Sequence, residues 1–142
     1  MPNINQPKIA ILPHLVPAAS TQRLLLFTIR RMAVGGLHDA HASHALMGTF
    51  GLNHKRVQMF MRAFLAELAR SSTRTITLAP SCCRRMTNDE ACLLRTIRMA
   101  EQEPRLIHAE LSMLIGTSDA RAPLAAAIGL ADVLADLGHS LN

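Results

Sequence analysis

The sequence feature that most constrains the fold is the spacing of apolar residues between positions 57 and 68. Apolar side chains recur there at the intervals of an α-helix, namely Val57, Phe60, Met61, Phe64, Leu65 and Leu68. This spacing puts them on one face, while Lys55, Arg62 and Glu67 take the other side. The pattern predicts an amphipathic helix that begins at a cap on Asn53 and packs its apolar face in the core.

Composition extends the helical prediction to the whole chain. The apolar residues are mainly Leu, Ala, Ile and Met, and the chain has no Trp or Tyr and only 4 Phe. Good helix formers therefore dominate over the aromatic and β-branched residues that are typical of strands. A length of 142 residues suits one domain. The prediction is an all-α, compact single-domain bundle of five to six helices.

Prolines and glycines divide the chain into an arm and a helical domain. Prolines at positions 2, 7, 13 and 17 exclude a continuous helix, so residues 1–19 are predicted to form an extended N-terminal arm. Residues 20–142 are predicted to form the helical domain. Its first helix is expected to begin at a cap on Ser20 or Thr21 and to end at the glycines that follow Val34.

The other predicted helices follow the same start and stop signals. A second helix is predicted for about 37–49, a fifth from Pro104 or Arg105 and a sixth from Ser118 or Asp119. Residues 75–78 alternate in period two without a visible partner strand, which predicts an extended connector that could pair in an oligomer. Four side chains from three of the helices are predicted to be buried: Leu25, Phe60, Phe64 and Leu94.

The segment 79–104 carries the most complete helix start in the sequence. Thr87 and Glu90 have the spacing of a capping box, and Pro104 is expected to end the helix. Residues 81–85, the Cys-Arg loop, precede this helix. Adjacent arginines and a helix N-terminus favour a thiolate, so the loop is a reactive-thiol candidate with four residues: Cys82, Cys83, Arg84 and Arg85. The alternative is a structural pair of cysteines in a turn.

Three histidines are weak candidates for a metal site. His38, His41 and His44 follow one another at i, i+3 steps, which places them on neighbouring turns of a helix. Imidazole and thiolate ligands suit zinc, but the spacings of His and Cys match no established zinc pattern. We therefore expect no metal and no cofactor.

A basic face is the second candidate site. The net charge is +5, and arginine supplies most of the positive charge. The predicted second and third helices resemble a helix-turn-helix, and the donors that could bind phosphates and bases are five residues: Arg30, Arg31, Lys55, Arg56 and Arg62. A nucleic-acid-binding regulator is thus one alternative. An ordinary solvated surface is the other.

The remaining signals indicate a cytoplasmic protein without catalytic activity. We find no signal peptide and no apolar run of the ~20 residues that span a membrane, so no membrane partner is expected. Three cysteines, an odd number, suit a reducing compartment. Phosphate loops, nucleophile elbows and paired carboxylates are missing. The leading hypothesis is a non-catalytic interaction or regulatory module that binds a protein partner or itself.

Three segments also resemble a known group of proteins. They are LLLFTIRRMAVGGLHDAHASHALMGTFG, MRAFLAELAR and APSCCRRMTNDEACLL, which cover most of residues 24–94. They look like an uncharacterised family of small alphaproteobacterial helical proteins. The resemblance implies a bacterial cytosolic protein of helical fold, and it assigns no activity and no site residues.

Overall fold

The computed structural model describes residues 12–142, and these form six α-helices and one short antiparallel strand pair. The helices are α1 (Ser20–Gly35), α2 (Ala40–Phe50), α3 (His54–Ser71), α4 (Asn88–Met99), α5 (Pro104–Ile115) and α6 (Arg121–Asp136). The strands are β1 (His14–Leu15) and β2 (Arg85–Met86), with His14 opposite Met86. The prediction of an all-α bundle is confirmed.

The core is aliphatic and lies between α3, α6 and the helices that cover them. α3 packs mainly against α6 and α2, whereas α1 packs mainly against α2 and α4. Leu25, Phe64 and Leu94 are buried, as predicted. Phe60 is only partly buried, which corrects the prediction. Its ring lies so close to Gly129 of α6 that a Cβ there would come within 2.8 Å of the ring, so this side chain fills the rim of the α3–α6 contact.

The helix starts agree with local sequence signals at α4 and α5 and depart from them at α1 and α3. The capping box of Thr87 and Glu90 is present at α4. Neither Ser20 nor Thr21 caps α1, which begins after Ala19 without a side-chain cap. Asn53 also makes no capping bond, because Gly51–Asn53 form a 3-10 turn that runs directly into α3.

Three further helix boundaries differ from the predictions. α6 begins at Arg121, after the predicted Ser118 or Asp119, and no side chain caps it. α2 begins three residues later than predicted, because Asp39 caps it by accepting the Ala42 N–H at 2.9 Å. α4 ends at Met99, five residues before the proline that is predicted to stop it, while Pro104 opens α5 as predicted for the fifth helix. Proline fits there because the first N–H groups of a helix need no intrahelical partner.

The described part of the arm, residues 12–19, lies against the Cys-Arg loop. The Val16 N–H donates to Arg84 O at 3.1 Å, and Arg85 Nε donates to Leu12 O at 2.8 Å. Residues 1–11 of the predicted arm lie outside the described residues. Within residues 12–142, none of the helices has the length and apolar character needed to cross a bilayer.

Candidate functional site

A buried ion pair between Arg30 of α1 and Glu90 of α4 organises the region around the Cys-Arg loop. Arg30 Nε donates to Glu90 Oε2 at 2.6 Å, and Arg30 Nη2 donates to Glu90 Oε1 at 3.0 Å. The two side chains are 2% and 0% exposed. A buried charge is tolerated when it is paired and its remaining hydrogen-bonding groups are satisfied. The neighbouring backbone provides those partners here.

Glu90 also holds two backbone N–H groups. Its Oε1 accepts from the N–H of Thr87 at 3.0 Å, which completes the capping box, and its Oε2 accepts from the N–H of Ala79 at 3.1 Å. The carboxylate therefore receives two hydrogen bonds from Arg30 and two from the backbone. These bonds fix the start of α4 against α1 and against the segment that precedes the Cys-Arg loop.

Arg30 in turn positions the backbone of the Cys-Arg loop. Its Nη1 donates to Cys83 O at 2.7 Å, and its Nη2 donates to Arg85 O at 2.9 Å. The prediction that Arg30 belongs to an exposed basic face is wrong, because a side chain buried in this network cannot reach a phosphate. A signal was present in the sequence: Arg30 lies four residues after Leu26 and next to Ile29, within an apolar stretch.

The Cys-Arg loop separates its two cysteines. Cys82 is exposed, whereas Cys83 is buried against Leu12 of the arm and Ala79. The Cys83 N–H donates to Pro80 O at 2.9 Å, which closes a turn. A reagent in solution therefore has access to Cys82, and Cys83 fits the structural alternative.

The arginines of the loop also differ in position. Arg84 is exposed, and Arg85 is partly buried and engaged with the arm. A thiol–arginine pair therefore remains a prediction for Cys82 and Arg84 alone. In α4, burial raises the pKa of the Cys92 thiol, which disfavours its reactive form.

The other members of the predicted basic face do not form one free surface. Arg31 donates to Asp39 at 2.9 and 3.2 Å, and this guanidinium lowers the pKa of the Asp39 carboxyl. Arg62 Nε donates to Leu37 O at 2.8 Å. Lys55 and Arg56 are exposed, and Arg56 lies 3.7 Å from a carboxylate oxygen of α6.

The three candidate histidines are exposed and are not brought together with other ligands. His38 precedes α2, while His41 and His44 lie on its solvent side. Within residues 12–142, no group of three His, Cys, Asp or Glu side chains has a geometry that could hold a metal ion.

An apolar groove between α1 and α3 is the feature that the sequence did not reveal. It is closed at one side by residues 72–79, the connector, and has a volume of about 440 Å³. Its walls include Ile29 and Met32 from α1 and Leu65 and Leu68 from α3. Since each of these helices has its main packing partners elsewhere, the space between their C-terminal halves stays open.

The connector forms one wall because its backbone is bound to the start of α4. The Thr77 N–H donates to Asp89 Oδ2 at 2.7 Å, and Thr87 Oγ1 donates to Thr77 O at 2.7 Å. Side chains alternate along an extended chain, so Ile76 and Leu78 then face the groove. The alternation of residues 75–78 is therefore explained without a partner strand. Side chains at the start of α4 supply the hydrogen bonds that a neighbouring strand would otherwise provide.

The walls of the groove are chemically uniform. Of the twelve described residues that line it, ten are apolar and the other two are Ser72 and Arg74. A dry void of this size would cost ~10 kcal/mol at ~24 cal/mol per Å³, which is comparable with the ~5–15 kcal/mol stability of a whole domain. The groove opens to solvent, so water fills it when it is free. Water against apolar walls lacks hydrogen-bond partners and is displaced favourably.

Arg74 lies at the end of the groove where α3 passes into the connector. Its Nη1 donates to Leu114 O, and its Nη2 lies 3.7 Å from Asp89 Oδ2. The side chain is 44% exposed. The groove thus combines an apolar body with one polar end, where the Arg74 guanidinium is paired with Asp89; sites for small amphipathic ligands have a similar mixture of apolar walls and a few polar groups.

The chain matches a family model over most of its length. No curated protein and no solved structure matches it. A family model matches residues 8–136, a wider span than the segments within 24–94 that carry the resemblance described above. The matched span includes the ion pair, the Cys-Arg loop and the groove. The chain therefore belongs to DUF6628, a family of unknown function.

Proposed function

We propose that this chain is a non-catalytic interaction or regulatory module that binds another molecule in the groove between α1 and α3. The observation that carries the proposal is the groove itself, about 440 Å³ of space lined by ten apolar residues. This volume lies within the ~300–1,000 Å³ of typical ligand pockets. Release of water from its walls supplies the free energy of binding.

The surroundings of the groove support binding rather than chemistry. The charged residue that lines it, Arg74, is always protonated and cannot act as a general base. Asp89, the neighbouring carboxylate, accepts the Thr77 N–H at 2.7 Å and holds the connector. Both groups therefore have a positioning role.

The proposal includes a bacterial cytoplasmic location and self-association as one form of interaction. Support for a reducing compartment comes from Cys82, Cys83 and Cys92, which lie in the described part of the chain and form no disulfide there. A nucleic-acid partner is the weaker alternative. Its support is reduced to Lys55 and Arg56, because the other three candidates are buried or hydrogen-bonded within the protein.

The proposed function is tested with Nile red, an uncharged dye whose emission rises in apolar surroundings. Two exposed alanines of α3 provide matched variants: Ala69 lines the groove, and Ala63 does not. We expect the unmodified protein and Ala63→Phe to bind the dye, whereas Ala69→Phe fills the groove and loses binding. Circular dichroism checks that all three proteins are equally helical. Equal dye binding by all three, or binding by none, would overturn the proposal.

A further inference from the structure

We propose that the ligand of the groove is an amphiphile with a single aliphatic chain and an anionic headgroup. The chain would lie between α1 and α3, and the headgroup would lie at Arg74. This inference rests on the proposed function and deepens it by naming the chemical class of the ligand.

The walls favour an aliphatic chain over a flat aromatic molecule. Ten of the twelve described residues that line the groove carry aliphatic or methionine side chains, and none of the twelve has an aromatic ring, so ring stacking is not available to a ligand. Ile29, Met32, Leu68 and Leu93 form the deepest part and are at most 3% exposed. Methylene groups gain dispersion contacts with such walls along their whole length.

The polar residues of the groove lie together at one end. Ser72 and Arg74 both follow α3 directly, so a ligand meets polar groups at its head and apolar groups along its body. This one-ended distribution matches a molecule whose charge is confined to one terminus. It does not match a ligand with polar groups along its length, because those groups would lose their hydrogen bonds to water.

Arg74 has donors left for an anion. Its guanidinium carries five N–H groups in a planar fork that suits carboxylate and phosphate oxygens. Within the described residues, its side chain donates one hydrogen bond, to Leu114 O. Asp89 forms an ion pair with Arg74 and offsets part of its charge, but at 3.7 Å between Oδ2 and Nη2 no hydrogen bond forms, so the N–H groups of Nη2 stay available to an anion. The net charge of +5 adds a general attraction for anions.

The experiment measures displacement of bound Nile red by four probes, each below its micellar concentration. Decanoate carries both the chain and the charge, decyl maltoside carries the chain alone, 1-naphthoate carries the charge on an aromatic body, and acetate carries the charge alone. We expect displacement in the order decanoate, decyl maltoside, 1-naphthoate and acetate. In Arg74→Gln, decanoate should weaken by about tenfold or more, because a hydrogen bond to a charged group is lost. Decyl maltoside should be unaffected.

The outcomes separate this inference from the proposed function. If Nile red binds in the groove but decanoate is no better than decyl maltoside, and Arg74→Gln changes neither, the anionic headgroup is wrong and the binding function stands. If 1-naphthoate displaces the dye best, the aliphatic chain is wrong. Failure of Nile red to bind defeats both. Co-flotation with phosphatidylcholine vesicles that contain lysophosphatidylglycerol, an anionic lipid with one chain, is compared with binding of free decanoate and assigns the source of the anion to a membrane lipid or to a free acid.

Discussion

The connector lies between two regions of the molecule, the start of α4 and the groove between α1 and α3, and its contacts with the two differ. On one side, its backbone binds the acidic first turn of α4, where Asp89 and Glu90 accept the N–H groups of Thr77 and Ala79. On the other side, Ile76 and Leu78 face an open groove. The comparison shows how a segment without a partner strand can still form a fixed wall. Its polar groups are satisfied by α4, which leaves its apolar side chains available to a ligand.

The largest loss of stability is expected when the polar contacts at the start of α4 are removed. Glu90→Ala leaves Arg30 charged and buried without its partner, which should lower the free energy of unfolding by about 3–5 kcal/mol. Glu110→Ala is the matched control, because Glu110 pairs with Arg95 in a partly exposed position, where Arg95 Nε donates to both carboxylate oxygens at 3.1 and 3.0 Å. That change should cost about 0–1 kcal/mol. Urea denaturation measures both, and equal losses would contradict the structural role of the buried pair.

The second prediction concerns the loss of stability when an aromatic side chain of α3 is removed from the core or from its rim. Phe64 is 0% exposed, so Phe64→Ala should cost about 3–5 kcal/mol because it leaves a cavity. Phe60→Ala should cost clearly less, since the Phe60 ring is partly exposed at the α3–α6 rim. The same denaturation experiment tests the pair, and a larger loss for Phe60→Ala would show that the rim contact was misjudged.

The third prediction concerns the stability of the protein when a side chain fills the unliganded groove. Ala69→Phe adds apolar surface to a site that lacks packing partners, so it should raise the free energy of unfolding by about 0.5–2 kcal/mol. Ala63→Phe, on the same helix but outside the groove, should stay within about 0.5 kcal/mol of the unmodified protein. Thermal or urea unfolding measures the difference. A destabilised Ala69→Phe would indicate that the groove is already closed in solution.

The fourth prediction concerns how accessible the cysteines of the Cys-Arg loop are to a reagent in solution. Iodoacetamide should modify Cys82 first, because that residue is exposed while Cys83 is buried beneath Leu12. Cys92 should also react slowly, since burial raises the pKa of its thiol and lowers its thiolate fraction. Peptide mass mapping over time gives the three rates. Labelling of Cys82 no faster than Cys92 would rule out a reactive thiol in this loop.

The smallest effect is expected at the exposed end of α4, where two carboxyl groups meet. A hydrogen bond with Asp132 raises the pKa of Glu101 above its ordinary value of 4.5. The folded protein therefore holds this proton more tightly than the unfolded chain does. The resulting stabilisation is present below that ordinary value and is lost as the pH rises through the raised pKa. Asp132→Asn should make stability between pH 4 and 7 less dependent on pH, as unfolding curves across this range can show. An unchanged pH dependence would contradict the coupling.

Local signals in the sequence predicted most of the helices and their order. The apolar spacing that includes Phe64 and the capping box of Thr87 and Glu90 depends on residues within a few positions of each other, so both could be read directly. The predicted caps of α1 and α3 were wrong because residue type alone does not determine a cap. Ser20, Thr21 and Asn53 are good caps by type, but the backbone geometry around them decides whether the side chain can reach an N–H group.

The candidate sites were harder to predict because they depend on which charged residues become buried. Arginine and histidine types gave sound chemical candidates, yet the fold places Arg30 in the core and His41 and His44 on the surface. Arg30 and Glu90 each lie on the apolar stripe of a helix, near Ile29 and Leu93 respectively. Two opposite charges on buried faces would have been a reason to predict their pairing.

The sequence by itself determined the helical class, the chain order of the elements and the start of α4, because these follow from contacts along one helix. Only the tertiary structure decided that Arg30 meets Glu90 across 60 positions and that a groove remains between α1 and α3. Both depend on how whole helices pack. A buried charge must find its partner wherever the fold brings one, whereas an apolar face stays open when the neighbouring helices pack elsewhere.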